Sequence, residues 1–380
     1  MSFLCLKPRS FQWVKVFSFY PLNALVIKPY FVTITNPIIT QGSVLFFKFI
    51  LYLSLGMFAW AKEIIPTPST PLTPSKRYSI NLMTENDGYI NPYIDEYYTA
   101  GNQIGFSTKE FDFSKNKAMK WSSYLGFFNK SPRVTRFGIS LAQDMYTPSL
   151  ANRKLVHLHD NHPYGGYLRV NLNVYNRHQT FMELFTISLG TTGQDSLAAQ
   201  TQRLIHKWGH DPQFYGWNTQ LKNEFIFELH YQLLKKVPLL KTRFFSMELM
   251  PGFNVELGNA RDYFQLGSLF RAGYNLDADY GVNKVNTAFD GGMPYSDKFS
   301  IYFFAGAFGR FQPLNIFIQG NSPETRGIAN LEYFVYASEI GAAMMWRSFR
   351  VAFTITDISK TFQSQPKHHQ IGTLELNFAF

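Results

Sequence analysis

The feature that most constrains the fold of this chain is the alternation of apolar with polar or small side chains along short segments. In the last eight residues the apolar side chains are Leu374, Leu376, Phe378 and Phe380. A period of two places such side chains on one face of a strand. Beyond Lys76 no apolar run reaches the roughly 20 residues of a membrane-spanning helix. The pattern therefore predicts the wall of a transmembrane β-barrel, apolar outside and polar inside.

The same alternation along the chain predicts twelve strands, and an even number is what a single-chain bacterial barrel needs. We expect them near residues 77–85, 98–110, 133–146, 165–177, 179–190, 217–234, 242–258, 262–275, 299–318, 330–347, 349–358 and 370–380. The chain ends on Phe380, as outer-membrane barrels usually do. The predicted fold is all-β, a twelve-stranded antiparallel transmembrane β-barrel with a short loop helix, over residues 76–380.

The N-terminal part of the chain has the organisation of an export signal. Lys48 is followed by an apolar stretch at 49–58 and by Ala-Trp-Ala at 59–61. This order is typical of a signal peptide, so residues 1–61 are predicted to be an N-terminal extension plus signal peptide, cleaved after Ala61. Residues 62–75 contain four prolines, which cannot pair in a sheet, and form a predicted lead-in to the barrel.

The formal charge of +10 depends on the N-terminal segment, because five basic residues and no acidic residue lie within 1–61. The rest of the chain has a surplus of five positive charges and no run of Lys and Arg. We therefore expect no nucleic-acid partner and an anionic lipid surface instead. Aromatic residues make up 17% of the chain, which suits membrane interfaces but also an aromatic-rich soluble β-sandwich. The single cysteine, Cys5, precedes the predicted cleavage site, in agreement with export.

One segment, residues 195–206, has the pattern of a helix rather than of a strand. Asp195 or Ser196 is the expected N-cap, and good helix formers follow. Gln202 and His206 are four residues apart and share one side of this helix. The alternative to a functional pair is a loop helix that only caps or plugs the barrel.

Two other polar segments flank predicted strands. Residues 85–87 (Glu-Asn-Asp), together with Asp95 and Glu96, surround the first turn, where carboxylate oxygens suit Ca²⁺ but also form ordinary solvated turns. Arg153 and Lys154 follow the third strand, where they could bind phosphate or extend to lipid headgroups from a barrel rim.

Taken together and in order, these segments resemble the lipid A 3′-O-deacylase (LpxR-type) family of outer-membrane enzymes, over residues 76–380. The matching segments are 85–87 (Glu-Asn-Asp), 97–101 (Tyr-Tyr-Thr-Ala-Gly), 143–148 (Gln-Asp-Met-Tyr-Thr-Pro), 162–166 (His-Pro-Tyr-Gly-Gly), 202–206 (Gln-Arg-Leu-Ile-His), 216–217 (Gly-Trp) and 315–321 (Asn-Ile-Phe-Ile-Gln-Gly-Asn).

The resemblance implies a monomeric outer-membrane barrel that removes the 3′-linked acyloxyacyl group of lipid A, the lipid part of lipopolysaccharide, by calcium-dependent ester hydrolysis. His206 would be the general base. Asn86 and Asp87 would form the core of the site, with Asp87 a calcium ligand or a partner that orients the histidine. The remaining implied site residues are Thr99 and Gln202 in the polar shell, and Arg153 and Lys154 at a lipid A phosphate.

Three positions depart from the family pattern. The basic pair is Arg153-Lys154 where Lys-Arg is more common, and His162 stands where arginine often precedes the Pro-Tyr turn. A second acidic residue expected after the histidine is not clearly placed in this sequence, and Asp211 is the nearest candidate.

Three alternatives to this enzyme remain open at the level of sequence. One is a porin or structural barrel without catalysis, and another is an outer-membrane phospholipase. The third is a covalent serine mechanism, which is disfavoured because Ser196 lies nearly three turns from His206 and the chain has no G-x-S-x-G motif.

Overall fold

The computed structural model describes residues 72–92, 94–113, 132–149, 161–286 and 289–380. The predicted signal peptide, most of the proline-rich lead-in, and Arg153 and Lys154 lie outside these residues. Among the described residues, no helix is both long and apolar enough to cross a membrane.

Twelve strands form one antiparallel sheet. They are β1 (Ser79–Asn86), β2 (Tyr97–Ser107), β3 (Val134–Thr147), β4 (Gly165–Arg177), β5 (Phe181–Thr192), β6 (Phe225–Lys235 and Val237–Lys241), β7 (Ser246–Gly258), β8 (Arg261–Tyr274), β9 (Ser300–Asn315), β10 (Phe334–Trp346), β11 (Phe349–Ile358) and β12 (His369–Ala379). We count β6 as one strand because both of its segments pair with β7 and only Lys236 separates them.

The sheet closes on itself. β1 pairs with β2 on one side and with β12 on the other, where Ser79 lies opposite Ala379. The remaining strands pair in chain order, so the ring has no free edge. The prediction of a twelve-stranded barrel is confirmed, and most strand limits agree with the sequence pattern to within a few residues. The chief exception is the start of β6, which begins at Phe225 rather than near residue 217.

Side chains that alternate in the sequence point alternately into the lumen and toward the lipid. In β12, Thr373, Glu375 and Asn377 are buried, whereas Leu376 and Phe378 are exposed on the outer face. In a barrel this outer face is the one that contacts lipid. The end with the longer loops is the extracellular one, and the polar segments singled out in the sequence lie there.

The described parts of the long connection between β8 and β9, residues 275–286 and 289–299, lie in the lumen. Arg350 of the wall donates to the backbone oxygens of Gly281 and Gly292 in this connection. Further along, the backbone nitrogen of Val285 donates to Glu85. These bonds hold the connection inside the barrel along much of its height.

Helix α1 (Ala198–Gly209) lies on the outer face of the wall, near its extracellular end. Gly166 shares the outward side of β4 with Val170, and a Cβ at Gly166 would lie only 2.4 Å from the Cβ of Ala198. Glycine therefore permits the close approach of helix and strand. The side chain of Gln143 in β3 donates to the backbone oxygen of Ser196 (2.6 Å) and fixes the start of the helix.

The predicted N-cap of α1 was wrong. Leu197 occupies that position with a left-handed backbone (φ 59°), and its side chain makes no capping bond. The Ser196 oxygen accepts only a long bond from the backbone nitrogen of Ala198 (3.4 Å). The side chain of Ser196 instead donates to the backbone oxygen of Gly193 (2.5 Å), inside a 3₁₀ turn that precedes α1. A second, one-turn helix, α2 (Ile316–Gln319), follows β9.

Candidate functional site

His206 lies in the last turn of α1, half-buried on the side that faces the barrel. Its Nδ1 is 2.7 Å from the backbone oxygen of Pro212, and its Nε2 is 3.1 Å from a carboxylate oxygen of Asp95. A carbonyl oxygen only accepts, so Nδ1 carries a hydrogen. Nε2 is therefore the atom that can take up a proton.

The pKa of His206 is raised above its ordinary value. Burial alone would lower it, but the contacts with Asp95 and with the backbone of Pro212 favour the protonated ring more strongly. Asp95 thus stabilises the imidazolium that forms once Nε2 has accepted a proton. Because Asp95 lies on Nε2 itself, a water molecule must reach Nε2 beside this carboxylate for the histidine to act as a base.

Thr99 holds Asp95 in place. The Thr99 hydroxyl donates to the other carboxylate oxygen of Asp95, and the hydroxyl of Thr147 donates to that of Thr99 (3.3 Å). The register of β2 against β3 shifts between Tyr98 and Ala100, at Thr99. Thr99 is therefore placed in the site, where it contacts the partner of the histidine.

Asn86 and Asp87 begin the connection between β1 and β2. The side chain of Asn86 accepts from the backbone nitrogen of Gly88 (2.7 Å) and caps a 3₁₀ turn. Asp87 is buried and accepts from the backbone nitrogen of Glu96 (2.8 Å). The histidine is paired with Asp95 rather than with Asp87, so the orienting role considered for Asp87 falls to Asp95.

The acidic connection carries more negative charge than its surroundings balance. Burial raises the pKa of Asp87 well above its usual range, and the charge of Asp95 raises it further. Within the part of the chain that the structure describes, no lysine or arginine is ion-paired with Asp87 or Asp95. Glu96 has Lys367 at 3.8 Å, and burial raises the pKa of Glu96 as well. Such a group of carboxylates fits a cation.

Oxygen donors of this kind suit calcium better than a transition metal. In the described ranges, however, no three His, Cys, Asp or Glu side chains converge on one point. A calcium ion here would therefore need backbone, hydroxyl or water oxygens besides the carboxylate of Asp87. The donor chemistry fits calcium, and the ligand set is only partly supplied by side chains.

Gln202 lies one turn before His206 on the same side of α1. It is buried, and its oxygen accepts from the indole nitrogen of Trp217 (2.7 Å). Its Nε2 is buried and has no hydrogen-bond partner among the described residues. Because an unpaired buried donor is costly, this amide group is a binding element available to an incoming oxygen.

Aromatic rings support this polar site from behind. Tyr164 packs against Trp217 with ring centres 5.3 Å apart and against Phe214 at 6.2 Å. Phe214 in turn lies edge-on to His206 at 6.0 Å. These contacts fix the orientation of the imidazole ring.

Two other residues considered in the sequence are structural in this arrangement. His162 is buried and stacked on Tyr146, and burial lowers its pKa to about 4, so it is neutral near pH 7. Asp211 is exposed, and its backbone nitrogen donates to the backbone oxygen of His206 (2.8 Å). Its carboxylate acts on the histidine only through its charge.

An apolar groove of about 510 Å³ runs along the outer wall from the start of α1, the helix that carries His206. Its polar upper part includes Asn102, Gln143 and Thr201 of α1. Below them the groove is lined by the lipid-facing side chains Leu82, Ile104, Leu141, Leu168, Leu374 and Leu376. A site that acts on a lipid needs this combination of a polar head and an apolar channel.

The pairing of Asp95 with His206 and the groove are the features that sequence reasoning missed. The Asp-Glu pair directly before Tyr97 was a usable signal for Asp95, since it lies in the same turn as Asp87. The groove had no such signal, because its residues come from five strands and one helix.

Comparisons with known proteins agree with this architecture. The family model described as "Outer membrane protein LpxR" matches residues 45–380. Among solved structures, LpxR from Salmonella typhimurium matches with a TM-score of 0.65 and 16% identity, covering 80% of this chain and 100% of that chain. At this identity the likeness shows the fold alone.

Other barrels match less closely. The β-domain of the Bordetella autotransporter BrkA has a TM-score of 0.38 at 8% identity, covering 81% of this chain and 100% of that one. The KdgM porin in complex with disordered oligogalacturonate has a TM-score of 0.34 at 8% identity, covering 80% of this chain and 99% of that one. No curated protein sequence matches the chain.

Proposed function

The chain belongs to the outer membrane protein LpxR family and is a multi-pass β-barrel of the outer membrane, and from this premise we propose that it is a lipid A deacylase. The reaction proposed is hydrolysis of the ester that links the acyloxyacyl group to the 3′ position of lipid A. One observation carries the proposal: a carboxylate-paired histidine lies on the helix whose first residues, Leu197 and Thr201, line a lipid-facing groove.

The position of the site selects the class of substrate. His206 and Asp95 lie outside the barrel, between the wall and α1, so a lipid of the outer leaflet reaches them without entering the lumen. Among the described residues, 275–286 and 289–299 occupy the lumen and reduce the room for a lipid there. An acyl chain in the groove would lie against Leu141 and Leu168, with its ester at the level of the histidine.

The proposed reaction uses water as the nucleophile. The water enters beside the carboxylate of Asp95, and Nε2 of His206 removes a proton from it as the water oxygen bonds to the acyl carbon of the ester. When the bond between the acyl carbon and the sugar oxygen breaks, the imidazolium returns the proton to that oxygen. The products are the free acid and the 3′-hydroxyl, and no oxidant or other reactant is needed. Asp95 favours the first step because it stabilises the charged ring.

The oxyanion formed at the acyl carbonyl needs positive charge or donors. The amide nitrogen of Gln202 is one donor available for it. We propose that a calcium ion bound by Asp87, when present, supplies the stronger electrostatic stabilisation. Arg153 and Lys154, outside the described residues, are proposed to bind a lipid A phosphate.

The proposal is tested with the purified barrel in detergent, with lipid A as substrate and mass spectrometry to detect loss of the 3′ group. His206→Ala should lower the rate by about 100-fold or more and leave the barrel folded. Gln200→Ala is the matched control, because Gln200 is exposed on the same helix and should change nothing.

Two results would overturn the proposal. Full activity of His206→Ala would exclude the histidine as the base. Release of fatty acid from glycerophospholipid, with lipid A left intact, would place the protein among phospholipases instead.

A further inference from the structure

Helix α1 has three faces, of which the site uses only one. The face toward the barrel carries Gln202 and His206 together with two buried alanines. The other two faces are exposed to the surroundings of the barrel. They differ sharply in chemistry.

One exposed face is apolar. Its members recur at helical spacing and are Leu197 at the N-cap, Thr201, Leu204, Ile205 and Trp208. Trp208 is 74% exposed, Leu204 49% and Ile205 43%. A contiguous exposed apolar surface of this kind marks an interaction site rather than a solvated helix.

The other exposed face is basic. Arg203 and Lys207 are exactly one turn apart, and His210 follows at the end of the helix. All three are exposed, and none of them forms an ion pair within the described ranges. The helix therefore presents apolar and cationic faces side by side.

The apolar face of α1 is continuous with the outer surface of the barrel wall, which contacts lipid. Leu197 and Thr201 line the upper end of the groove, whose lower walls are the lipid-facing leucines Leu141, Leu168 and Leu376. The apolar surface of the wall thus extends upward onto the helix without interruption. The lipid that covers the wall is therefore the occupant that fits the helix as well.

We propose that α1 is an interfacial helix seated in the outer leaflet of the membrane that contains the barrel. Its apolar face lies among the upper parts of the acyl chains, and Arg203 and Lys207 lie at the anionic phosphate groups of the same lipids. This is how a helix with a large apolar face and a basic face binds a membrane, and long basic side chains reach the headgroups readily.

The membrane contact of α1 also affects the positions of the site residues. Gln202 and His206 project from the same helix toward the wall, so lipid that holds the outer faces of α1 also holds these side chains over the groove. The inference concerns a membrane contact and does not depend on ester hydrolysis.

The test is quenching of Trp208 fluorescence by brominated lipids. The barrel is reconstituted in vesicles of phosphatidylcholine, with or without phosphatidylglycerol, brominated at defined depths, and Trp208→Phe identifies the signal of Trp208 by difference. We expect quenching by bromines, strongest for those near the glycerol end of the chains. The double variant Arg203→Gln and Lys207→Gln should lower this quenching about threefold in the anionic vesicles only.

Two controls separate the outcomes. Trp346, 60% exposed at the other end of the barrel, is identified by Trp346→Phe and should keep its quenching in the double variant. His206→Ala should also keep the bromine quenching of Trp208, so loss of catalysis and loss of the membrane contact of α1 are distinguishable.

The inference is overturned if Trp208 is quenched fully by acrylamide in the aqueous phase and not by bromine. It is equally overturned if protection of Trp208 from acrylamide grows with protein concentration, because a second copy of the chain would then be the partner.

Discussion

The barrel contains two polar regions that handle charge in opposite ways. In the lumen, Arg350 lies between Asp279 (3.1 Å) and Glu375 (2.6 Å), and Arg271 contacts Asp279 at 2.5 Å. All four side chains are buried. On the outer wall, the carboxylates of Asp87, Asp95 and Glu96 lie in one connection, and Asp95 pairs with His206.

The difference distinguishes charged groups that stabilise the fold from charged groups that could take part in a reaction. Arg271 and Arg350 are each balanced by acids at contact distance, so these pairs fix the wall and the inner connection in one arrangement. The outer region leaves negative charge in excess and shifts the pKa of Asp87 and of His206. Perturbed groups in a cleft are typical of functional sites.

The largest predicted effect is a loss of stability when a buried ion pair in the lumen is broken. Arg350→Ala leaves Asp279 and Glu375 buried next to an empty space, which should lower the free energy of unfolding by about 3–5 kcal/mol. Urea unfolding of the barrel in lipid vesicles measures it. Lys241→Ala is the control, because its pair with Asp277 is exposed and should contribute at most about 1 kcal/mol. Equal losses in the two variants would show that the buried pair is not special.

The second predicted effect concerns the excess negative charge of the connection between β1 and β2, in particular Asp87. If Asp87 binds calcium, Asp87→Asn and removal of calcium by a chelator should each lower hydrolysis about 100-fold. Chelator should then add nothing to the loss in the variant. Because the folded pKa of Asp87 is raised, its ionised form disfavours the folded state as the pH rises. The metal-free variant should therefore be at least as stable as the metal-free parent, and a marked loss of stability would point to a structural role.

The third effect sharpens the role of Asp95. His206 works as a base only when neutral, so activity is lost as the pH falls through its pKa. Asp95→Asn removes the main contact that raises this pKa, and the acidic limb of the pH–rate profile should move to lower pH. The rate on the alkaline side should fall about tenfold, because the imidazolium is less stabilised.

Asp211→Asn is the matched control for this profile. Asp211 raises the same pKa only through its charge, so the limb should move in the same direction by a smaller amount. An unshifted limb in Asp95→Asn would show that Asp95 does not act through the histidine.

The smallest effect concerns the groove. Leu141→Trp narrows the channel below the site and should lower kcat/KM for lipid A by about tenfold, more for long acyl chains than for short ones. Ile340→Trp places the same ring on the lipid-facing side of β10, away from the groove, and should have no effect. Rates measured on lipid A with different chain lengths decide the matter.

The fold could be predicted because its signal is local. A strand such as β12 shows its two faces in eight residues, and the helix that carries Gln202 and His206 breaks that period visibly. The lumen connection could not be predicted, since residues 275–299 have no period and bind through ionic contacts with distant strands. Asp95 was named only as a possible calcium donor, because its pairing with His206 joins residues more than a hundred positions apart. The cap of α1 was mispredicted because Ser196 lies in the 3₁₀ turn before the helix, which leaves Leu197 at the N-cap position.

The outer wall, not the lumen, is where this barrel is proposed to act, and the mass spectrum of lipid A tests that claim most directly. Lipid A is compared from three strains: one without the gene, one with the natural protein, and one with His206→Ala at an equal amount of folded barrel. A species that lacks the 3′-linked acyloxyacyl group should occur only with the natural protein. Identical spectra from the natural protein and from His206→Ala would contradict the account, as would a 3′ group retained in all three strains.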